Sequence, residues 1–181
     1  MSQKKLIVIM GVSGSGKTTI AQHISQHMPF KYMEADAFHS LESKRHMQNG
    51  RPLTDDMRWP WIQNICAAIQ KDPEDIVLAN SGLKFLHRKC FRELGRVCVF
   101  IHLQVPRDIL QTRLELRTDH FMPATLLDSQ FDDMEEPLPS ESVYNVDCRN
   151  SLSETLAASL SCVQNVLYKT ERNCSEVKIC D

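Results

Sequence analysis

The chain of 181 residues has the length of one domain, and 42% apolar residues are enough to fill a core. A formal net charge of −2 provides no basic field, and no apolar run approaches the length of a bilayer span, so neither nucleic acid nor membrane is expected as a partner. The seven cysteines are scattered, odd in number and without a C-x-x-C pair, which excludes a disulfide framework and a thiolate zinc site and predicts a reducing, cytoplasmic setting.

The run Leu6-Ile7-Val8-Ile9-Met10 predicts a buried first strand over 5–10, begun too early in the chain for a secretory leader. Directly after it, Gly11-Val12-Ser13-Gly14-Ser15-Gly16-Lys17-Thr18 fits G-x-x-x-x-G-K-[ST] with no mismatch. A helix over about 17–28 follows, so the motif stands in the strand–loop–helix context it requires. Backbone N–H groups of residues 11–18 are expected to turn inward as a nest for the phosphates of ATP, with the helix dipole behind them. Lys17 would reach the β- and γ-phosphates, and the Thr18 hydroxyl would hold Mg²⁺.

Residues 30–35 read as a second strand ending at Asp36. The long polar stretch 37–58 holds a short helix over 41–48 and otherwise reads as a functional loop. Trp59-Pro60-Trp61 predicts a helix start with Pro60 in the first turn, and Trp61, Ile62, Ile65, Ala68 and Ile69 keep helical spacing beyond it. A third strand over 75–79 ends in Asn80-Ser81-Gly82, and 85–94 reads as a helix. The fourth strand covers 97–103, and Pro106 opens a helix to about Leu116. Segment 117–141 is mixed, and 143–146 is a short fifth strand. Ser151 and Glu154 form a capping box for a last helix to about Tyr168. The polar residues 170–181 are expected to be a disordered tail.

Strands alternating with helices predict an α/β protein: a three-layer αβα P-loop kinase fold with a five-stranded parallel sheet and helices on both faces. Residues 1–169 are expected to form the single domain, with a lid over about 117–137. Ligands of such sheets sit beyond the carboxyl ends of the strands. The phosphate loop, Asp36 and the segment 80–84 converge there.

A triphosphate site alone leaves a small-molecule kinase, a GTPase switch and a silent nucleotide-binding module in competition. The switch is disfavoured because the sequence holds neither N-K-x-D nor D-x-x-G. A kinase needs a carboxylate near the acceptor hydroxyl and cations for the phosphoryl group in transfer. Asp36 is the candidate base or orienter, with Lys17 and Arg117 as further catalytic candidates. The third strand does not end in Asp, so an ordinary second carboxylate for Mg²⁺ is missing from the sequence reading. Arg58, Lys84 and Arg88 are candidates for an anionic acceptor, the last two being four apart on one helix face. Arg113 and Arg117, also four apart, could close over the phosphates. His39 and His120 are candidates for hydrogen bonds to sugar hydroxyls.

Over about residues 5–165 the chain resembles the gluconokinases of the shikimate-kinase-like P-loop group. The resemblance begins with Met10 to Lys17 and the D-x-x-H segment Asp36-Ala37-Phe38-His39. It continues through Lys44, Met47, Gly50, Pro52-Leu53, Asp55, Arg58 and Pro60-Trp61, then Ser81-Gly82-Leu83-Lys84 with Arg88. It closes with His120-Phe121-Met122, Ser129-Gln130-Phe131, Glu135 and Pro137. The order and spacing of these blocks are specific. The resemblance implies ATP-dependent phosphorylation of D-gluconate to 6-phospho-D-gluconate, with Asp36 facing the attacking hydroxyl, and a homodimer. The family usually has Cys at the place of Asn80, Ala at Gly82 and Gly at Asp119. It often has Lys at Phe85 and Asp at Lys89. An acid at 119 would repel ATP if it pointed into the lid.

Overall fold

The structure is a computed structural model, and it describes residues 3–116 and 126–176. Its centre is a parallel sheet of five strands: β1 (Lys5–Met10), β2 (Lys31–Glu34), β3 (Ile76–Ala79), β4 (Val97–Gln104) and β5 (Val143–Asp147). Their order across the sheet is β2-β3-β1-β4-β5. In register, Val8 lies between Leu78 and Phe100, and Ile9 between Ala79 and Ile101. The described helices are α1 (Lys17–His27), α2 (Leu41–Gln48), α3 (Asp55–Lys71), α4 (Phe85–Arg92), α5 (Arg107–Glu115), α6 (Leu127–Asp132) and α7 (Leu152–Glu176).

The apolar runs are continuous because both sheet faces are covered. Along β1, Ile7 and Ile9 face one way and pack with Ile20 and Ile24 of α1 and Val163 and Val166 of α7. Leu6, Val8 and Met10 face the other way, against Trp61, Ile62, Ile65 and Ile69 of α3 and Phe91 of α4. Each large apolar side chain buried in this way contributes about 1.5–3 kcal/mol. Beyond the sheet rim, Leu110 and Leu114 of α5, Leu127 of α6, Val12 and Leu83 form a smaller cluster that seats α6 beside the phosphate loop.

Two helix boundaries differ from the expectations. α3 begins at Asp55, not at the tryptophans, because Thr54 caps it by accepting the Met57 N–H at 3.3 Å and two acids follow in the first turn. Pro60 therefore lies inside the helix. α7 continues to Glu176, past the expected end near Tyr168. Its start is the capping box foreseen: Ser151 N–H donates to Glu154 Oε2 at 3.0 Å, and Glu154 N–H donates to Ser151 Oγ at 3.3 Å.

Candidate active site

The phosphate loop leaves the carboxyl end of β1 and turns through three glycines with positive φ: Gly11 (144°), Gly14 (82°) and Gly16 (96°). These angles suit residues without a Cβ. At Gly11 a Cβ would lie 2.8 Å from Ser15 Oγ and 3.2 Å from Leu103 O, so the position admits no larger residue without movement. Gly11 N–H donates to Ser81 O at 3.1 Å, which fastens the loop to the end of β3. Lys17 Nζ donates to Val12 O at 3.0 Å and thereby lies back along the loop. Ser15 Oγ is buried and has no hydrogen-bond partner among the described residues. α1 begins at Lys17 with no acid in its first turn, so its positive end is left for an anion. A glycine-lined turn, an unsatisfied hydroxyl and a lysine at a helix start together suit the phosphates of a nucleotide.

Two side chains to which the sequence reading gave no role reach this loop. Gln130 of α6 accepts the Ser13 N–H at its Oε1, 2.6 Å away. Glu34, the last residue of β2, accepts the Thr18 hydroxyl at 2.7 Å and the Tyr32 hydroxyl at 2.5 Å, both at Oε2. A carboxylate therefore stands beside the Thr18 hydroxyl, at the end of β2 and not of β3. The signal was in the sequence, two residues before Asp36, but strand order decides which carboxylate meets Thr18, and only the sheet reveals that. Among the described residues no three His, Cys, Asp or Glu side chains cluster as a metal site. The hard oxygens of Thr18 and Glu34 suit a cation such as Mg²⁺, which takes one or two protein oxygens and completes its shell with water and phosphate.

Asp36 stands on a 3-10 turn over Ala35–Phe38. Trp61 of α3 pins that turn by donating its indole N–H to Ala35 O at 2.7 Å. His39 stacks on the Trp61 ring, with centroids 4.2 Å apart and planes 14° apart. Its Nε2 is 3.7 Å from Asp36 Oδ1. Burial, with smaller contributions from Lys44 and Arg58, pushes the His39 pKa down to about 4, so the ring is neutral at pH 7. Its buried Nδ1 has no hydrogen-bond partner among the described residues.

The expected cations divide into two groups. Arg58 of α3 and Lys84, the N-cap of α4, converge on Asp133, which directly follows α6. Arg58 Nη2 is 2.5 Å from Asp133 Oδ2, and Lys84 Nζ is 3.1 Å from Asp133 Oδ1. Burial pushes the Asp133 carboxyl up, and the hydrogen bonds and charges of Arg58 and Lys84 more than reverse that. Arg88 lies elsewhere, and its assignment to the acceptor is corrected. It is fully buried, it grips Glu141 in two places (2.7 and 3.1 Å), and its Nη1 donates to Gly82 O and Leu83 O, both at 2.9 Å. The four-residue spacing predicted a shared face with Lys84, but Lys84 precedes the helix and points to the rim while Arg88 holds the loop from beneath. Burial pushes Glu141 up, but Arg88, the Leu138 N–H and Arg92 hold it down at about 2.

Arg113 of α5 reaches the phosphate loop, with Nη1 3.5 Å from Gly14 O. Arg117, Asp119 and His120 lie outside the described residues, as does most of the first half of the expected lid. The result is one cleft. It is lined by Gly14, Lys17 and Thr18 of the loop, by Asp36, His39 and Arg58, and by Gln130.

A family model described as an AAA domain matches residues 7–135. A probable gluconokinase of Xenopus tropicalis is 35% identical over 166 residues, which span 82% of this chain and 87% of that protein. The crystal structure of a gluconokinase from Sinorhizobium meliloti is 33% identical, superposes with a TM-score of 0.85, and is matched over 96% of this chain and 99% of its own. A shikimate kinase from Acinetobacter baumannii, 16% identical with a TM-score of 0.59 over 92% of this chain and 94% of its own, shares the fold alone.

Proposed function

The chain belongs to the gluconokinase family, and from that premise we propose that it transfers the γ-phosphoryl group of ATP to the terminal hydroxyl of D-gluconate, giving 6-phospho-D-gluconate. One observation carries the reading: the phosphate loop and the group Asp36, His39 and Arg58 border the same cleft. A phosphoryl donor and a polyhydroxy acid can therefore meet in it.

In this mechanism Lys17 and the positive end of α1 stabilise the oxygens of the group in transfer. Arg113, and Arg117 from a lid over about 117–137, add charge as the transfer proceeds. Asp36 accepts the proton of the attacking hydroxyl or fixes its direction. Neutral His39, and His120 from the lid, hydrogen-bond the remaining hydroxyls. Arg58 and Lys84 attract the acceptor's carboxylate. Thr18 and Glu34 would hold Mg²⁺, which when bound would supply positive charge to neutralise that of the phosphates. A single domain over 1–169, a homodimer and a cytoplasmic setting belong to the same proposal. No described helix is long and apolar enough to cross a membrane.

A coupled assay of ADP release with ATP and Mg²⁺, run over a panel of acceptors, tests the proposal. Gluconate is expected to give strong turnover and shikimate or nucleoside monophosphates none. Equal rates with gluconate and shikimate would overturn it.

A further inference from the structure

The cation pair proposed above for the acceptor's carboxylate already carries a carboxylate of the protein's own. Asp133 bridges Arg58 and Lys84, one oxygen to each, at 2.5 and 3.1 Å. This is the arrangement a carboxylate ligand would adopt between a guanidinium and an ammonium group. A second acid, Asp55, lies 3.4 Å from Arg58 and 4.0 Å from Lys84. Asp55 is 73% exposed and therefore well screened, whereas the Arg58, Lys84 and Asp133 side chains are 11%, 22% and 23% exposed. The two cations thus already face two carboxylates of the protein, of which Asp133 is the nearer and the better shielded from solvent.

We infer that Asp133 is a specificity-determining residue for the acceptor: it occupies the Arg58–Lys84 seat in competition with an acceptor's carboxylate, which must displace it to bind. The inference rests on the gluconokinase reading above. Asp133 is tethered, so its local concentration at the seat is high and an acidic acceptor pays for the exchange. Two carboxylates on one guanidinium edge also repel each other. A neutral polyol meets no such rival and gains little from the pair. Asp133 thus narrows the advantage of the acid over its uncharged analogues.

The test compares Asp133→Asn with the parent protein at fixed ionic strength, measuring KM and kcat for gluconate, for the neutral polyol sorbitol and for ATP. The gluconate KM is expected to fall about two- to fivefold, the range of a partly screened ion pair, with the ATP KM and any sorbitol turnover unmoved. The gain in melting temperature on adding gluconate should be larger in the variant, and Asp133→Glu should return the parent values. A gluconate KM that is unchanged or raised in a folded Asp133→Asn protein would overturn the inference. Should Asn at 133 not fold, Asp133→Thr carries the same comparison. Absence of gluconate turnover in the parent protein would refute the gluconokinase reading, whereas normal parent turnover with an unmoved KM in the variant refutes only the role of Asp133.

Discussion

Glu34 Oε2 takes two hydroxyl hydrogen bonds at once, from Thr18 and from Tyr32. Tyr32, in the same strand, holds the carboxylate over the start of α1, and burial, followed by the hydrogen bond to Glu34 and then its charge, raises the Tyr32 pKa, so the phenol remains a donor. Removing the Glu34 charge should weaken a cation there more than it weakens the nucleotide. Glu34→Gln is therefore expected to raise the Mg²⁺ concentration for half-maximal rate about tenfold, in line with the loss of one ligand-shell group, as titration with Mg²⁺ at saturating substrates would reveal. An unchanged Mg²⁺ curve would remove Glu34 from the site. At this scale the sequence was legible where a motif fixes spacing: Lys17, Thr18, Asp36 and His39 all border the cleft. It misled at Arg88, because helical spacing tells which residues share a face and not whether that face is core or rim. The roles of Glu34 and of Gln130, which was named only as part of a motif block, were not foreseen because their partners lie sixteen and 117 residues away in the chain.

Gly82 lies in the loop joining β3 to α4, with φ +62°, and a Cβ there would sit 2.9 Å from Met10 Cβ. Asn80 folds back to accept the Gly82 N–H at 2.8 Å, and Arg88 holds the Gly82 carbonyl from the other side. The glycine is thus part of this loop's construction. Gly82→Ala is expected to cost about 1–3 kcal/mol from the left-handed backbone alone, read as a lower denaturant midpoint. Equal stability would mean that the loop adopts another conformation. All five strands, read as apolar runs, and α2 over 41–48 stand where the sequence placed them. The boundaries that failed did so for local reasons: Pro60 signals a helix start, but the Thr54 cap and the acids after it lie one turn earlier and win. α6 could not be foreseen, since its six residues form no recognisable stripe and are held by Leu127 packing with α5.

Across the whole molecule, two histidines link the site to stability. Burial lowers both His39 and His87 to about 4, with the cations Lys44 and Arg58 adding to the effect at His39 and Arg58 leading the charges at His87. Their folded values lie below the unfolded value of about 6.5, so the unfolded chain binds more protons between these limits. The two histidines should make stability fall as pH drops from about 6.5 toward about 4, by at most about 1.4 kcal/mol per pH unit for each. Glu141, held at about 2, adds a further loss below about 4.5 as its pairing with Arg88 is titrated. Urea unfolding at pH 7, 6 and 5 measures this, and a flat profile would contradict it. The global architecture was readable because alternating strands and helices allow few handed arrangements, and that topology brings the ends of β1, β2 and β3 to one edge. The account stands on the claim that Asp36 serves the hydroxyl while the glycine loop serves the phosphates. The most direct measurement is the turnover of Asp36→Asn with gluconate beside its affinity for ATP. Turnover is expected to fall about 10²- to 10⁴-fold with ATP binding retained, and near-parent turnover in a folded variant would contradict the claim.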